Sequence, residues 1–394
     1  MKGRVYNMNN ELEIIKRKAV QIFSKEDLDK KINSGKKLTI KLGADPSRPD
    51  LHIGHSVVLR VLKGFQDMGH EVVFVVGDFT GMIGDPSGKS KTRPALTFEQ
   101  TRESAKSYFE QATKILDKNK TKIVFNSEWL SKMNFEDVIK LTSKYTVARI
   151  MERDDFKNRF ENNLPLSMHE LLYPLMQGYD SVHLNADIEI GGTDQTFNLL
   201  VGRELQKDYG KEPQVVMTFP LLVGLDGKEK MSKSLDNYIG LTDTPFEKFE
   251  KSMKIPDEVL REYFELATDL PNDKIDEIMN GDIREAHIAF AKELIRMYDD
   301  INVFDDVKER YMKIAKGEIP QNIEKVKIEE NELNICDLLI KIGFANSKSE
   351  AKRMILGNGI KINGGSITDI NMSLEFNKDI VVQFGKNKFK KVIK

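Results

Sequence analysis

The sequence is poor in cysteine: Cys336 is the only one among its 394 residues. A single cysteine excludes a disulfide framework and a Cys-rich metal site. The chain also lacks any apolar run of about 18 residues, the length that a membrane-spanning helix requires. Residues 1–18 mix lysine with asparagine and contain no apolar stretch typical of a signal peptide. We therefore expect a cytoplasmic protein without a membrane segment.

The chain carries almost no net charge, with 61 Lys and Arg against 62 Asp and Glu. No overall positive field draws it to nucleic acid, so any such contact must come from a local patch. A hydrophobic fraction of 40% is enough for buried cores, and 394 residues are long for a single core. We expect two or three domains.

Strands and helices alternate over residues 1–225. Residues 71–76 (EVVFVV) form a continuous apolar run, as expected for a parallel strand buried on both faces. The alternation predicts an α/β domain whose doubly wound parallel sheet binds ligands at the carboxyl ends of its strands. Further strands are predicted at 38–42, 122–125, 187–190 and 215–219, and helices at 57–65, 99–117, 131–144 and 196–208.

The rest of the chain predicts two smaller regions. Residues 226–325 contain no convincing strand and form an all-α domain, which ends in a polar linker at 315–330. Residues 331–394 are basic, with eleven Lys and Arg against six Asp and Glu, and they mix helices with strands in a small α+β domain. Helices are predicted at 246–253, 257–266, 274–279, 284–311, 334–342 and 347–356, and strands at 360–362 and 380–384.

Two histidines, His52 and His55, stand three residues apart where a helix begins after the first strand. Side chains at this spacing point to one side, and the unpaired N–H groups of a helix N-terminus attract anions. Gly54 between them lets a flat nucleotide approach the backbone. The pair predicts contacts with a nucleotide triphosphate. The alternative is a pair of surface histidines that cap a helix.

A second string, Lys230-Met-Ser-Lys233-Ser, follows two glycines, Gly224 and Gly227, in a loop that we expect to be mobile. Loop lysines suit negative charge that develops only in a transition state, such as that of a leaving pyrophosphate. Together with the histidine motif, this string indicates two halves of one phosphate site. The alternative is a solvated basic loop.

A Gly-rich stretch follows strand 71–76. It fails the pattern of a phosphate-binding loop, because Ile83 occupies the position of the required first glycine. It predicts instead a loop that brings Asp85 to the carboxyl edge of the sheet. Lys89 and Arg93 follow in the same loop, within reach of a phosphate.

Ser167 and Glu170 form a capping-box pattern that opens a helix. On that helix Tyr173, Gln177 and Asp180 share one face. A phenol, an amide and a carboxylate in one stripe predict a site for a small, polar, zwitterionic molecule. The alternative is an ordinary polar outer face.

Two glycines at 191–192 follow the predicted strand 187–190 and permit close approach of a ligand to the backbone. Asp194 comes next, where acidic residues of other nucleotide-binding folds accept hydrogen bonds from ribose hydroxyls. The pattern predicts a ribose contact. The alternative is a plain turn that caps a helix.

Together these motifs resemble those of the bacterial tyrosyl-tRNA synthetases, which are class I aminoacyl-tRNA synthetases. The resemblance covers essentially the whole chain and rests on four strings: His52-Ile-Gly-His55, Lys230-Met-Ser-Lys-Ser234, Tyr173-Pro-Leu-Met-Gln177-Gly-Tyr-Asp180 and Gly191-Gly-Thr-Asp194-Gln195. It implies a Rossmann-like catalytic domain over 1–225, a helical domain on the anticodon side over 226–325, and an S4-like RNA-binding domain over 331–394. It also implies a homodimer that takes L-tyrosine, ATP with Mg²⁺, and tRNA(Tyr).

The resemblance assigns most of the candidate residues to ATP and its transition state. The carboxylate of tyrosine attacks the α-phosphate while His52 and His55 stabilise the phosphates. Lys230 and Lys233 hold the leaving pyrophosphate, and two cations of a mobile loop, Lys89 and Arg93, join the transition state. The backbone of Gly192 and the carboxylate of Asp194 bind the ribose.

Tyrosine itself is assigned to the residues between the two phosphate motifs. By the resemblance, Tyr173, Gln177 and Asp85 bind its amino group, and Gln195 lies near its carboxylate. Asp180 accepts a hydrogen bond from the phenolic hydroxyl. Selecting tyrosine over phenylalanine requires a buried partner of this kind, because that partner is left unsatisfied when the hydroxyl is missing.

The sequence departs from the family pattern at two positions. Well-studied members have a tyrosine two residues before the glycine that aligns with Gly43, and it also touches the substrate hydroxyl. This chain has Lys41 there. Thr196 follows Gln195 where some members have tryptophan. The chain therefore resembles the other bacterial branch of the family, and Asp180 is left as the hydroxyl partner.

Two rival functions share part of this pattern. Tryptophanyl-tRNA synthetases have the same fold, but indole has a single donor and does not call for Asp180 arranged with Gln177, an argument that depends on the resemblance. A noncatalytic RNA-binding protein on the same scaffold would have no use for the histidine pair and the lysine pair of the phosphate site.

Overall fold

The computed structural model describes residues 11–44, 51–84, 97–319, 323–385 and 387–394. Within these residues the chain forms two compact units. The first comprises the described parts of Met1–Thr244 and Lys251–Tyr298, and the second those of Pro245–Glu250 and Asp299–Lys394. No helix in the described part of the chain is both long and apolar enough to cross a membrane.

The first unit contains a six-stranded sheet with the strand order β1-β6-β5-β2-β3-β4. Its strands are β1 Gln21–Phe23, β2 Thr39–Ala44, β3 Glu71–Val76, β4 Thr121–Phe125, β5 Ile188–Gly192 and β6 Val215–Phe219. Strands β2 to β6 are parallel, which confirms the predicted α/β sheet. Strand β1 pairs antiparallel with β6 and is not among the predicted strands, because three partly exposed residues carry no apolar periodicity.

The order of the strands reverses next to β2. Strands β3 and β4 follow on one side of it, whereas β5 and β6 lie on the other side. In sheets of this kind, ligands bind beyond the carboxyl ends of the strands at such a switch point. The ends of β2 and β5, at Ala44 and Gly192, mark that point.

Helices occupy much of the remaining chain. In chain order they are α1 (residues 11–18), α2 Lys25–Asn33, α3 Ile53–Asp67, α4 Phe98–Ala112, α5 Ser127–Leu130, α6 Phe135–Thr142, α7 Val147–Ile150, α8 Asp154–Glu161, α9 Met168–Leu184, α10 Thr196–Asp208, α11 Pro245–Ser252, α12 Asp257–Ala267, α13 Asn272–Met279, α14 Ile283–Tyr298, α15 Phe304–Ala315, α16 Ile335–Lys341 and α17 Lys348–Leu356.

The helix predicted at 284–311 is divided into α14 and α15, and the helix predicted at 131–144 is the shorter α6, which begins at Phe135. Asn134 caps the start of α6, because its Oδ1 accepts a hydrogen bond from the backbone N–H of Asp137 at 3.1 Å. In the same way Asp300 Oδ1 accepts from the N–H of Asn302 at 3.0 Å between α14 and α15. Such local side-chain bonds compete with continuation of a helix.

Close packing fixes α9 against α10. A Cβ on Gly178 would lie 2.9 Å from Leu205 Cδ1 and 3.1 Å from the backbone nitrogen of Gly202. A Cβ on Gly202 would lie 2.9 Å from Gln214 Nε2 and 3.1 Å from Ser181 Oγ. Glycine at both positions lets the two helices approach, and this contact holds the helix that carries Tyr173, Gln177 and Asp180.

The second unit contains a five-stranded sheet, ordered β10-β9-β12-β13-β7, and a two-stranded sheet of β8 and β11. Its strands are β7 Glu324–Lys327, β8 Glu332–Asn334, β9 Ile360–Ile362, β10 Gly365–Ser366, β11 Ser373–Glu375, β12 Ile380–Phe384 and β13 Lys388–Ile393. The predicted linker at 315–330 is wrong over β7, which pairs in parallel with β13. Val326 and Ile328 pack in the core, an apolar pair that the surrounding charges conceal in the sequence.

Candidate active site

The candidate residues lie where strands of the first unit end. His52 follows β2, Asn126 follows β4, Gly192 ends β5, and the loop with Lys230 follows β6. Because the carboxyl ends of parallel strands meet at one edge of the sheet, these segments share that edge. This edge is the candidate active site.

The two histidines of the first motif are largely shielded from solvent at the start of α3. Their ring centroids are 3.8 Å apart, and His55 Nδ1 accepts a hydrogen bond from the backbone N–H of His52 at 3.2 Å. Burial lowers the pKa of His55 to about 4. Burial and the charge of His55 also hold the pKa of His52 below its usual range. Both rings are therefore neutral near neutral pH, and His55 presents Nε2–H as a hydrogen-bond donor.

The environment of His52 favours a contact with the nucleotide over the alternative of two surface histidines that cap a helix. It is buried, and its Nδ1 has no hydrogen-bond partner among the described residues. A Cβ on Gly54 would lie 2.9 Å from that Nδ1 atom, so the glycine leaves room for the His52 ring. A buried polar atom without a partner marks a position where a ligand can complete the bonding.

The lysine motif is anchored at Met231. This side chain is buried, and its backbone N–H donates to the carbonyl of Leu222 at 2.8 Å. Asn237 Nδ2 donates to the carbonyl of Lys230 at 3.3 Å and braces the same segment. The Lys230 ammonium reaches Asp194, with Nζ 3.5 Å from Oδ2. This contact brings Lys230 to the predicted ribose residue. The mobility of the loop stays a prediction.

The segment after the lysine motif lies beside the histidines. The backbone N–H of Ile53 donates to the carbonyl of Ile239 at 2.9 Å. The ring of Tyr238 has its centroid 6.1 Å from that of His52 and 5.5 Å from Lys233 Nζ. Two strings far apart in the sequence are therefore neighbours, as two halves of one phosphate site must be.

Gly192 ends β5 and precedes a short 3-10 turn. A Cβ there would lie 2.7 Å from Asp194 Oδ1 and 2.8 Å from Leu221 Cδ2, so a larger residue would displace these side chains. Gln195 follows in the turn, and its Oε1 accepts a hydrogen bond from Asn198 Nδ2 at 3.2 Å. This bond orients the amide, with Nε2 on the opposite side. The turn thus holds Asp194 and Gln195 together at the edge of the sheet.

The face of α9 that carries the three polar side chains is not solvated, so the alternative of an outer face is wrong. Tyr173 and Asp180 are buried, and Gln177 is half-buried. Gln177 Oε1 is inaccessible to solvent and has no hydrogen-bond partner in the described part of the chain. The predicted capping box is confirmed, since Glu170 Oε1 accepts from the backbone N–H of Ser167 at 3.0 Å.

Comparison with known proteins identifies the family. Residues 33–316 match the family described as tRNA synthetases class I (W and Y), and residues 313–392 match the Tyrosine--tRNA ligase SYY-like C-terminal domain. The Tyrosine--tRNA ligase of Deinococcus radiodurans is 49% identical over 98% of this chain and 97% of its own. That of Thermotoga maritima is also 49% identical, over 97% of each chain. The chain belongs to the bacterial tyrosyl-tRNA synthetases.

The fold of this synthetase agrees with solved structures. The tyrosyl-tRNA synthetase of Archaeoglobus fulgidus, solved in complex with L-tyrosine, is 25% identical with a TM-score of 0.62. The match covers 75% of this chain and 99% of that one. The synthetase of Aeropyrum pernix, at 21% identity and a TM-score of 0.60, shares the fold over 79% of this chain and 100% of its own.

Asp180 of this synthetase is held by two side chains that follow β4. Trp129 Nε1 donates to Asp180 Oδ1 at 2.8 Å, and Asn126 Nδ2 donates to Oδ2 at 3.3 Å. Burial raises the pKa of Asp180 to about 7, against the opposing effects of the Lys41 charge and of these two hydrogen bonds. A carboxylate with both oxygens oriented is prepared to accept a further hydrogen bond.

Trp129 and Asn126 are not among the site residues predicted from the sequence. One signal was available, since Asn126 comes directly after a predicted strand whose carboxyl end belongs to the site edge. Trp129 is the only tryptophan of the chain but stands in no motif. Its contact with Asp180 depends on how α5 and α9 pack, which no local pattern encodes.

Three predicted site residues, Asp85, Lys89 and Arg93, lie outside the described residues of this synthetase. Their assignment to the tyrosine amino group and to the transition state stays a prediction from the sequence.

Proposed function

We propose that this chain is a tyrosine--tRNA ligase, which activates L-tyrosine with ATP to tyrosyl-adenylate and pyrophosphate and then transfers tyrosine to tRNA(Tyr). The observation that carries this proposal is the buried α9 face of Tyr173, Gln177 and Asp180. It lies on the same edge of the sheet as the histidine pair and the loop lysines. The first group suits an amino acid with a phenol, and the second suits a triphosphate.

Activation needs alignment and charge neutralisation. A carboxylate oxygen of tyrosine bonds to the α-phosphorus of ATP, and the bond to pyrophosphate breaks. Because that carboxylate is already ionised at neutral pH, no general base is required. Neutral His52 and His55 donate hydrogen bonds to phosphate oxygens. Lys230 and Lys233 neutralise the β- and γ-phosphates and the departing pyrophosphate.

The ribose of ATP is held at the end of β5. Asp194 accepts from its hydroxyls and the Gly192 backbone lies against it, while the contact of Lys230 with Asp194 links this end to the lysine loop. We include Lys89 and Arg93 as further cations of the transition state. ATP enters as its Mg²⁺ complex. Mg²⁺ in such a complex is bound mainly by phosphate oxygens and water.

Tyrosine lies along α9. Asp180 accepts from its hydroxyl, and the buried Gln177 Oε1 accepts from its ammonium group together with Tyr173 and Asp85. Gln195 Nε2 faces its carboxylate. Each end of the zwitterion and the phenol thus has a polar partner, so a substrate without the hydroxyl leaves Asp180 unsatisfied.

The tRNA is bound by the remaining parts of the chain. We assign chemistry to 1–225 and tRNA contacts to 226–325 and to the basic region 331–394. Lysine and arginine contacts with phosphates weaken as salt increases, so tRNA affinity falls with ionic strength. A pool of tRNA and ATP as substrates is consistent with a cytoplasmic enzyme.

We also propose a homodimer, as the family resemblance implies, and exposed apolar side chains support it. Six of the large apolar side chains exposed in the described chain fall in one stretch of helices: Phe135, Ile139, Val147, Phe160, Leu164 and Met168. Phe135, 79% exposed, and Ile139 lie one turn apart on α6. Exposed apolar side chains can belong to protein interfaces, and a second copy of this chain is the partner that we assign to them.

A charge placed on this surface is expected to separate the dimer. The double variant Phe135→Glu/Ile139→Glu elutes as a monomer in size-exclusion chromatography with light scattering, because unpaired carboxylates cannot be buried between apolar side chains. Val20→Glu, at another exposed apolar position, remains dimeric. A monomeric parent protein, or an unchanged mass for the double variant, contradicts the assignment.

Pyrophosphate exchange into ATP with each amino acid in turn tests the proposed function. Exchange with tyrosine alone is the expected result. Exchange with tryptophan identifies the tryptophan-specific rival. Absence of exchange with every amino acid favours the noncatalytic RNA-binding protein.

A further inference from the structure

Lys41 is fully buried on β2, at the position where well-studied members of the family have tyrosine. Its Nζ lies 2.8 Å from Glu189 Oε1, donates to Ser181 Oγ at 2.8 Å, and donates to the carbonyl of Gln177 at 3.2 Å. Lys41 and Glu189 are direct partners in the register of the parallel strands β2 and β5. The ammonium therefore joins two central strands to one turn of α9.

Glu189 completes the network from the other side. Ser181 Oγ donates to its Oε2 at 2.9 Å, and Gln214 Nε2 donates to the same oxygen. Both charges of the ion pair are fully shielded from solvent. Desolvation of two charges is costly, and a buried ion pair is often no more stabilising than an apolar pair of similar volume. A role other than stability is therefore the better explanation for this pair.

The turn that Lys41 contacts carries two proposed tyrosine ligands, Gln177 and Asp180. Four groups act on the Asp180 carboxyl from the elements packed around it. Trp129 and Asn126 donate hydrogen bonds to it, the charge of Lys41 favours its ionised form, and the charge of Glu189 disfavours that form. Burial raises the pKa of Asp180 to about 7, so these charges act where the carboxyl titrates near neutral pH.

We propose that Lys41 and Glu189 are a positioning pair for tyrosine selection, which fixes the α9 turn from Gln177 to Ser181 and so holds Gln177 and Asp180 in place for the substrate. This inference rests on the proposed function, because it takes Asp180 as the acceptor of the tyrosine hydroxyl. Lys41 thus acts behind the pocket, through α9, and contacts no substrate atom.

The test uses three variants of the full chain: Lys41→Gln, Glu189→Gln and the double variant with both. Each amide retains hydrogen bonding and removes one charge. The measured quantity is kcat/KM for tyrosine in pyrophosphate exchange across neutral pH, which rises as Asp180 ionises. Lys41→Gln is expected to move this rise to higher pH and to lower kcat/KM near neutral pH by about tenfold. The KM for ATP stays unchanged.

Glu189→Gln is expected to move the rise to lower pH. The double variant moves it to higher pH, but less than Lys41→Gln does, because the charge of Lys41 acts more strongly on Asp180 than that of Glu189. If Lys41→Gln does not fold with Glu189 left unpaired, the opposite shifts of Glu189→Gln and the double variant carry the test. If the pair were merely structural, the pH profiles of kcat/KM for Glu189→Gln and for the double variant would both stay unchanged or would both shift in one direction. Either result overturns the inference.

A matched control is available at the start of β5, two residues before Glu189. Lys31 is buried, and its Nζ lies 3.0 Å from Asp187 Oδ1. The double variant Lys31→Gln/Asp187→Asn is expected to lower the melting temperature and leave the pH profile unchanged.

Asp180→Ala in the same assay separates the two levels of the hypothesis, because alanine has no acceptor for the tyrosine hydroxyl. If this variant still prefers tyrosine to phenylalanine, the proposed role of Asp180 is wrong and the inference fails with it. If Asp180→Ala loses the preference while the Lys41 and Glu189 variants keep the parent profile, the inference alone is wrong.

Discussion

Asp180→Ala is expected to lose tyrosine activation while ATP binding stays largely intact. The substitution removes the acceptor of the phenolic hydroxyl and leaves the donors of Trp129 and Asn126 without their partner. Hydrogen bonds to a charged group contribute about 1.5–3 kcal/mol, and unsatisfied buried donors add to the loss. We expect kcat/KM for tyrosine to fall by on the order of a hundredfold or more, measured by tyrosine-dependent pyrophosphate exchange.

The control for this prediction is Asp187→Asn, which alters a carboxylate of the same sheet that accepts from Lys31 and from the backbone of Thr39. It is expected to keep the parent KM for tyrosine. The KM for ATP should be the same in both variants, because Asp180 touches the phenol and not the nucleotide. Unchanged exchange in Asp180→Ala would refute the assignment.

Lys230→Ala and Lys233→Ala are each expected to lower kcat for activation by about 10²–10³, the usual effect of losing one preorganised group that stabilises transition-state charge. The KM for tyrosine is expected to change little, since both ammonium groups act on the phosphates. Single-turnover formation of tyrosyl-adenylate measures the chemical step directly, without the contribution of product release.

Lys228→Ala provides the matched control in the same loop. Lys228 is exposed, and the backbone N–H groups around it, not its ammonium, hold the turn through Asp226. Its rate is expected to equal that of the parent. If Lys228→Ala loses as much activity as Lys230→Ala, the loop contributes a general positive field, and the specific phosphate contact is wrong.

Much of the catalytic fold is predictable because local pattern and tertiary position agree there. The apolar run 71–76 is buried on both faces as β3, and 215–219 forms β6 as predicted. The predictions failed where short polar contacts decide the outcome. Asn134 starts α6 later than predicted, Asp300 interrupts a helix that apolar periodicity alone would continue, and β7 becomes a strand only by pairing with the distant β13.

In the candidate site too, some residues were predictable from local sequence patterns and others were not. His52 and Lys230 stand in strings that are recognisable without a structure, and their proximity follows from the topology of a parallel sheet. The groups behind the ligands could not be predicted. Trp129 reaches Asp180 across two helices, and Lys41 finds Glu189 only because β2 and β5 are neighbours. Such contacts depend on the tertiary arrangement of strands and helices, which no short stretch of sequence specifies by itself.

Fluorescence of Trp129 offers the most direct measurement of tyrosine selection. It is the only tryptophan of the chain, and its indole N–H is bound to the carboxylate that we assign to the tyrosine hydroxyl. With selective excitation of tryptophan, titration with tyrosine is expected to give a saturable change in emission. Phenylalanine at the same concentrations gives little change, and Asp180→Ala abolishes the response to tyrosine. An equal response to both amino acids, or none to tyrosine, would contradict the role of Asp180.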